Sequence, residues 1–314
     1  MYIGIDLGGT NIAAAIVDTE GTILKRTSIS ANAVGGAGAI LGGLLEVCRI
    51  LLSDAKEAPA AIGIGVPGTV NDKAGEVIFT PNLPLREIKV TDELQEKYQC
   101  PIRLGNDANC AALGETVAGG AKGAKDVVFI TLGTGVGGGI ILGGRLLTGI
   151  SGAASELGHH VILEGGRKCG CGRLGCWESY ASASGLIRTA IEFMGADKDS
   201  VLWDLCGGLA EKVNGSAVFD AFRAGDSAAL LTVDNYVKHL GAGIVNIINI
   251  LEPEMICVGG GISNSWDCIA APIQAIVDAE LFYRYSRQAP KTKIVKAVLG
   301  NDAGIIGAAM LGLM

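Results

Sequence analysis

Two segments of this chain, almost half its length apart, repeat one strand–turn–strand pattern. Ile3-Gly4-Ile5-Asp6-Leu7-Gly8-Gly9-Thr10 aligns without a gap with Val128-Phe129-Ile130-Thr131-Leu132-Gly133-Thr134-Gly135. In each copy a β-rich run meets a turn of glycine and threonine, and a second β-rich run follows at residues 12–17 and 139–142. A repeat at this spacing predicts two similar α/β lobes, each offering a glycine-rich turn to a shared cleft.

The rest of the chain alternates between helical and strand patterns. The spacing of apolar residues predicts helices over residues 37–53, 91–98, 178–193, 226–251, 266–279 and 302–313. Strands are predicted over residues 61–66, 101–105, 255–258 and 293–299, and Thr91 is a candidate N-cap. The alternation predicts an α/β fold with mixed sheets, and the loop at residues 119–125 suggests a domain boundary.

Charge and cysteine content narrow the class of protein. With 25 basic and 32 acidic residues, the 314-residue chain has a net charge of −7, which argues against a basic face for nucleic acid. We find no run of 18 or more apolar residues and no signal-peptide pattern, so neither a membrane span nor secretion is expected. Nine cysteines in a long acidic chain predict reduced thiols in the cytoplasm instead of a disulfide framework.

The two glycine-rich turns have the composition of phosphate-binding sites. Their residues are Asp6, Gly8, Gly9, Thr10 and Asn11 in the first copy and Gly133, Thr134 and Gly135 in the second. The glycines let the backbone approach a ligand closely, and the carboxylate of Asp6 could lie near a magnesium ion beside a nucleotide's terminal phosphates. A glycine-rich hairpin without a ligand is the alternative for one turn alone. The presence of a second, matching turn favours a polyphosphate that both turns contact.

Asn106 and Asp107 stand between a predicted strand and a predicted helix. An aspartate at this place could accept the proton of an attacking hydroxyl during phosphoryl transfer, where a strong base is not needed. The alternative is an ordinary helix N-cap, a position that Asn and Asp favour in any case.

A metal site is predicted in the second half of the chain. One histidine and three cysteines fall within 18 positions in a glycine-rich turn region: His159, Cys169, Cys171 and Cys176. Three cysteines and one histidine are the ligand set of a closed Cys₃His zinc site. Such a site leaves no position for a zinc-bound water, so the metal is predicted to be structural. His160 is the alternative imidazole ligand.

Glu156 and Glu178 bracket this metal motif. Carboxylates accept hydrogen bonds from adjacent hydroxyls, as a sugar site requires, and the alternative is two surface glutamates. Because the glycine turns are distant in sequence, loss of the metal is expected to weaken sugar binding much more than nucleotide binding.

These segments together resemble the ROK family of repressors and sugar kinases, within the actin-like and hexokinase superfold. The resemblance covers essentially the whole chain and rests on Asp6-Leu7-Gly8-Gly9-Thr10, Asn106-Asp107-Ala108, residues 132–139, Glu156-Leu157-Gly158-His159, residues 169–178 and Val258-Gly259-Gly260-Gly261. It implies two ribonuclease H-like lobes with a nucleotide and sugar cleft between them. The smaller lobe would comprise residues 1–119 with a returning helix at 301–314, and the larger lobe residues 120–300.

The resemblance also implies roles for individual residues. Asp107 matches the base that deprotonates the sugar 6-hydroxyl. The positions that match sugar contacts are Gly68, Asn82, Asn106, Asp107, Glu156, His159 and Glu178. The positions that match nucleotide contacts are Gly9, Thr10, Gly133 and Thr134 on the phosphates and Gly260 and Gly261 on the adenosine side. His159, Cys169, Cys171 and Cys176 match zinc ligands, with the second ring nitrogen of His159 left for the sugar.

The expected activity is therefore ATP-dependent phosphorylation of glucose at its 6-hydroxyl, with Mg²⁺ and a structural Zn²⁺. The expected protein is a cytoplasmic homo-oligomer, a dimer or tetramer, that binds neither nucleic acid nor membrane. The first alternative is a kinase for N-acetylmannosamine, N-acetylglucosamine or fructose. A sugar-responsive repressor of the same family is disfavoured, because the first glycine turn follows residue 6 and leaves no room for a DNA-binding domain. A sugar-binding module without catalysis is disfavoured by Asp107 and the two turns.

Overall fold

The structure is a computed structural model that describes residues 1–285 and 291–313. It has the predicted α/β fold and divides into two compact units. The first unit contains Met1–Phe129, Gly138–Ser155 and Ala297–Met314, and the second contains Ile130–Gly137 and Glu156–Lys296. The boundaries of these two units differ from those of the two lobes that the sequence resemblance implies. The boundaries of the lobes remain a proposal.

The described residues form strands and helices that we number in chain order. The strands are β1 Tyr2–Leu7, β2 Asn11–Val17, β3 Ile23–Ser30, β4 Ala61–Val66, β5 Thr69–Asn71, β6 Glu76–Phe79, β7 Arg86–Lys89, β8 Ile102–Asn106, β9 Val127–Leu132, β10 Val136–Leu142, β11 Arg145–Leu146, β12 Met255–Gly259 and β13 Lys293–Lys296. The helices are α1 Gly36–Leu51, α2 Asp92–Lys97, α3 Asp107–Ala118, α4 Glu178–Ala181, α5 Ala183–Ala196, α6 Val201–Leu205, α7 Gly215–Arg223, α8 Ser227–Leu251, α9 Trp266–Glu280 and α10 Asp302–Met310.

Both large sheets follow the same strand order, as the internal repeat predicts. The first sheet has the order β3-β2-β1-β4-β8, and the second has the order β11-β10-β9-β12-β13. In the first sheet β1 is antiparallel to β2 and parallel to β4, and β4 is parallel to β8. In both sheets, three strands that are consecutive in the chain lie side by side and are followed by two further strands. A small third sheet, β5-β6-β7, was not expected from sequence.

Helix α10 packs directly on the first sheet and on α3. A side chain at Gly4 would overlap the carbonyl oxygen of Ile305, and one at Gly63 would overlap that of Ala308. On the other flank, a side chain at Gly307 would overlap the carbonyl oxygen of Cys110 in α3. Glycine at these places lets three backbone segments pack closer than side chains would allow.

Two predicted elements differ from the structure for local reasons. The predicted helix 178–193 is interrupted at Ser182, whose backbone is extended and whose Oγ accepts a hydrogen bond from the Gly185 amide, so that it caps α5. The predicted N-cap Thr91 makes no side-chain cap bond; its hydroxyl donates to the carbonyl of Gly75 at 3.4 Å.

The sequence led us to expect no segment long and apolar enough to cross a membrane, but the segment that contains helix α1 is one. Residues 33–51 meet both criteria by length and composition. Within the first unit, however, Ile40, Leu44, Val47 and Leu51 are fully buried in the main hydrophobic cluster. The apolar face of α1 is therefore a core face of this unit.

A buried carboxylate fastens the returning C-terminal segment to α3. Glu115 is 1% exposed and accepts backbone hydrogen bonds from Gly120 at 2.7 Å, Leu299 at 2.8 Å and Val298 at 3.1 Å. Strand β13, predicted to extend to residue 299, ends at Lys296. The amides of Val298 and Leu299 bond to Glu115 instead of to a neighbouring strand.

We expect Glu115→Gln to lower the free energy of unfolding by about 2 kcal/mol, because the amide replaces one acceptor oxygen with a donor that faces backbone N–H groups. Urea denaturation measures this change. The matched control is Glu93→Gln on the exposed face of α2, for which we expect a change within about 0.5 kcal/mol. Equal effects of the two variants would contradict the assigned role of Glu115.

Candidate functional site

Two aspartates lie at one edge of the first sheet. Strands β1 and β8 both run parallel to β4, so their carboxyl ends meet at the same edge. Asp6 is near the end of β1, and Asp107 begins α3 directly after β8. The Asp107 side chain is exposed and its Oδ1 accepts a hydrogen bond from the Ala108 amide at 2.8 Å. The fold thus places an accessible carboxylate beside a mostly buried one.

The electrostatics of this pair favour a proton on Asp6. Burial, followed by the nearby charge of Asp107, raises the pKa of Asp6 from 3.8 to about 6. Helix α10 contributes to this burial, because Gly304 packs on Asp6: a side chain there would stand 3.2 Å from Oδ2. A bound cation would remove the cost of ionising Asp6, which is consistent with the predicted magnesium position.

We expect Asp6→Asn to be more stable than the wild type above pH 6 in magnesium-free buffer. Because the pKa of Asp6 is higher in the folded protein, only the unfolded state loses its proton between about pH 4 and pH 6, and stability falls as pH rises through this window. The variant lacks this loss and should gain about 2–3 kcal/mol at pH 7 and nothing at pH 4. Thermal or urea denaturation across pH measures the difference, and a pH-independent difference would contradict the assignment.

Asn106 has a structural role in addition to its predicted sugar contact. Its Oδ1 accepts hydrogen bonds from the amides of Ala108 at 2.9 Å and Asn109 at 3.2 Å, and its Nδ2 donates to the carbonyl of Gly68 at 3.1 Å. The N-cap interpretation of this position is confirmed, because Asn106 caps α3, and its bond to Gly68 brings that residue to the edge that carries Asp107. One N–H of its amide is left for a ligand.

Asn82 is exposed in the loop between β6 and β7. That loop is closed by Thr80, whose buried hydroxyl bonds to the carbonyls of Leu83 at 2.7 Å and Leu85 at 3.1 Å. Asn82 was predicted from the sequence, whereas the hydrogen bonds of Thr80 that stabilise its loop are visible only in the structure.

The first glycine turn, residues 8–10, is a tight and exposed connection between β1 and β2. The Gly8 amide donates to the carbonyl of Asn11 at 2.9 Å, and the Thr10 carbonyl accepts from the Ala31 amide at 2.8 Å. Gly9, Thr10 and Asn11 are exposed, and the space around the α-carbon of Gly9 is open. The turn is thus pinned at its base and accessible at its tip.

The second glycine turn, residues 133–135, is hydrogen-bonded to the first residues of α5. The carbonyl of Gly133 accepts from the Ala183 amide at 2.8 Å, and the carbonyl of Thr134 accepts from the Ser184 hydroxyl at 2.8 Å. Gly260 packs against Leu132 just before the turn, with a φ of 83° that favours glycine.

A cavity of about 420 Å³ opens beside this turn in the second unit. Its volume is within the range of small-molecule sites. It is lined by Leu132, Gly133, Thr134, Ala183, Asn214, Gly215, Ser216, Phe219, Gly261, Ile262, Asn264 and Ser265. The turn and Gly261 were named from sequence, whereas Asn214, Ser216, Phe219 and Asn264 were missed. Only the last follows a visible signal, the glycine run after β12.

The four predicted metal ligands come together in the second unit. One ligand atom from each of His159, Cys169, Cys171 and Cys176 lies within 4.8 Å of the others. The sulfurs of Cys171 and Cys176 are 3.6 Å apart, and Nδ1 of His159 is 3.6 Å from the sulfur of Cys169. Tetrahedral zinc with bonds of about 2.3 Å to sulfur separates two sulfurs by about 3.8 Å. These residues therefore fit a zinc ion, with Nδ1 of His159 as the ring nitrogen toward it.

His160, the alternative ligand, lies outside this cluster. Its Nδ1 is 2.5 Å from the carbonyl oxygen of Leu157, and its ring packs on Trp177 at 5.1 Å between centroids. Trp177 is fully buried, and its indole N–H donates to the carbonyl of His239 at 2.9 Å. Together these contacts anchor the cysteine-rich segment to α8, which carries His239.

The two bracketing glutamates have different environments. Glu156 is exposed and precedes the 3₁₀ turn Leu157–His159, where its carbonyl accepts from the His159 amide at 3.1 Å. Glu178 is partly buried, and its carboxylate is 3.5 Å from the sulfur of Cys169 and 3.0 Å from the amide of Val136. Glu156 is free to accept ligand hydroxyls, whereas Glu178 already bonds within the protein.

A second cavity, of about 820 Å³, lies within the first unit beside Asn106. Its wall includes the ion pair between Arg103 and Asp72, at 2.7 Å, and Asn109, which is 3% exposed. In the part of the chain that the structure describes, Oδ1 of Asn109 accepts no hydrogen bond. Arg103 and Asp72 belong to no motif that is visible in the sequence.

Comparison with known proteins defines the family. The chain matches the ROK family over residues 2–313, and it belongs to that family. A glucokinase of Halalkalibacterium halodurans is 40% identical over 317 residues, which cover 99% of this chain and 94% of the glucokinase. A crystal structure of a ROK family glucokinase from Streptomyces griseus, in complex with glucose and AMPPNP, has a TM-score of 0.79 at 35% identity and covers 99% of this chain and 98% of its own. A xylose repressor of Bacillus spizizenii is 30% identical over 307 residues, which cover 97% of this chain and 75% of the repressor.

Proposed function

We propose that this chain is an ATP-dependent glucokinase that phosphorylates the 6-hydroxyl of glucose. The observation that carries the proposal is 40% identity with a glucokinase over 99% of this chain. The likeness to a glucokinase structure that contains glucose and the ATP analogue AMPPNP supports glucose and ATP as the substrates.

In this proposal Asp107 is the general base. Its exposed carboxylate accepts the proton of the sugar 6-hydroxyl as that oxygen attacks the γ-phosphorus of ATP and ADP leaves. Gly68, Asn82, Asn106, Glu156, His159 and Glu178 are the proposed sugar contacts. The bonds that hold Asn106 to Gly68 support this assignment, because they fix two of these positions relative to Asp107.

The nucleotide is proposed to use both glycine turns. Residues 8–10 with Asn11, and residues 133–135, would bind phosphate oxygens through the threonine hydroxyls and through backbone amides other than those of Gly8 and Gly133, which bond within the turns. Asp6 would lie near Mg²⁺, which supplies charge neutralisation of the phosphates. The cavity of about 420 Å³ beside residues 133–135 and Gly261 is the proposed adenosine site.

The Cys₃His cluster is proposed to hold a structural Zn²⁺. Four protein ligands close a tetrahedral shell, so the metal would stabilise the segment that presents His159 and Glu178 and take no part in the reaction.

The remaining proposals concern localisation and assembly: the protein is a cytoplasmic homo-oligomer, a dimer or tetramer, without nucleic-acid or membrane partners. The six cysteines outside the cluster, which form no disulfide, support the reducing compartment. The lobes would comprise residues 1–119 with 301–314, and residues 120–300.

A sugar-responsive repressor is the alternative from another class, since a xylose repressor is 30% identical over nearly the whole of this chain. A coupled assay for ADP release separates the two, with a panel of glucose, mannose, fructose, N-acetylglucosamine and N-acetylmannosamine. The highest kcat/KM is expected for glucose. Turnover of another hexose at a higher kcat/KM would replace glucose as substrate, and no turnover of any sugar would overturn the kinase.

We expect Asp107→Asn to lower kcat about 10²–10⁴-fold with glucose affinity largely kept, because the amide cannot accept the hydroxyl proton. Steady-state kinetics and glucose binding by calorimetry measure the two effects. Asp199→Asn, at an exposed loop position, is the matched control and should leave kcat unchanged. A near wild-type kcat in folded, metal-loaded Asp107→Asn would sink the assignment of the base.

We expect Cys171→Ser to bind less than the roughly one zinc per chain predicted for the wild type, because serine is a poorer zinc ligand. Elemental analysis of the purified proteins measures this. Cys100→Ser, at a thiol outside the cluster, serves as the control and should retain its zinc. Equal zinc content in the two variants would contradict the ligand assignment.

A further inference from the structure

The carboxylate of Glu178 connects the cysteine cluster to the second glycine turn. Glu178 begins α4, two residues after Cys176. Its Oε2 accepts a hydrogen bond from the Val136 amide at 3.0 Å, directly after residues 133–135. Its Oε1 accepts from the thiol of Cys169 at 3.5 Å. Each oxygen of one carboxylate thus has a different partner.

The turn is shaped around this carboxylate. A side chain at Gly135 would overlap Oε2 of Glu178, so glycine at this position lets the carboxylate reach the Val136 amide. The neighbouring bonds from Ala183 and Ser184 fix the carbonyls of Gly133 and Thr134. Glu178 supplies the charged member of this set, and hydrogen bonds to charged groups are the stronger ones.

We propose that Glu178 is a positioning residue for the nucleotide: its Oε2 holds the Val136 amide and thereby the phosphate-binding shape of residues 133–135. This role is separate from the proposed contact of Glu178 with the sugar. It depends on the proposed function only in naming the ligand of the turn as a nucleotide.

The same geometry links the turn to the metal cluster. A metal ion held by Cys169 and the other three ligands would order the segment that carries Glu178, because metal binding and local folding are coupled. When the cluster unfolds without metal, the support of the turn is lost as well. Metal loss is therefore expected to weaken nucleotide binding, against the expectation from sequence that mainly sugar binding would suffer.

Two substitutions at Glu178 distinguish its bond to the Val136 amide from its proposed contact with the sugar. Glu178→Gln keeps an oxygen that can accept from Val136, whereas Glu178→Ala keeps none. We expect Glu178→Ala to weaken the binding of magnesium AMPPNP, measured by calorimetry without sugar, about tenfold or more. Glu178→Gln should weaken it less than about threefold while still impairing glucose binding. Should Glu178→Ala fail to fold, Glu178→Asp takes its place, because its shorter side chain cannot reach the amide.

Glu156→Ala is the matched control, since Glu156 is a proposed sugar contact whose side chain does not bond to the turn. It should lose glucose affinity and keep AMPPNP affinity. Zinc content of every variant is measured alongside, so that loss of metal is distinguished from loss of the Val136 bond.

Amide hydrogen exchange of a short peptide that contains Val136 gives a readout independent of any ligand. Exchange should be faster in Glu178→Ala and in chelator-treated wild type, and unchanged in Glu178→Gln and Glu156→Ala. Unchanged exchange and AMPPNP affinity in zinc-loaded Glu178→Ala would overturn the positioning role. Unchanged exchange in the chelated wild type would overturn the link to the metal. Failure of the proposed function shows separately, as a wild type that turns over no hexose.

Discussion

The first unit depends on a close approach between backbones. Helix α10 can lie on the first sheet only because Gly4 and Gly63 present no side chain toward it, and the same holds between Gly307 and α3. The buried carboxylate of Glu115 then secures the segment that leads into α10. Because α10 also packs on Asp6, the C-terminal helix shapes the electrostatics of a residue near the start of the chain.

That electrostatic environment explains why two aspartates at one edge can serve different purposes. Burial and the charge of Asp107 raise the pKa of Asp6, whereas Asp107 is exposed at the first turn of α3. A mostly buried carboxylate is suited to meet a cation, and an exposed one can reach a ligand hydroxyl. Asn106 sets the start of α3 and so determines where the exposed carboxylate stands.

In the second unit, the cysteine-rich segment and the glycine turn are parts of one hydrogen-bonded assembly. Trp177 and Glu178 are adjacent in sequence, yet the indole of Trp177 is bonded to α8 and the carboxylate of Glu178 to the amide of Val136. A metal ion in the Cys₃His cluster would order this segment and thereby act both on the residues proposed to contact the sugar and on the turn proposed to bind phosphate. The physical reason is that one carboxylate has two oxygens, each with its own partner.

The sequence by itself determined the α/β class, the two similar strand–turn–strand repeats, the family and the three cysteines of the Cys₃His cluster. Those features depend on short local patterns, such as the spacing of Cys169, Cys171 and Cys176 or the run of glycines after β1. The cluster's choice of His159 over His160 required the structure, because both imidazoles have the same local pattern and only packing against Trp177 separates them. Only the tertiary structure shows that Asn214 and Asn264 line a cavity, that Glu115 binds the amides of the C-terminal segment, and that the Val136 amide donates to Glu178. These contacts join residues that are distant in the chain, and no periodicity or motif records which distant backbone amide a carboxylate will meet.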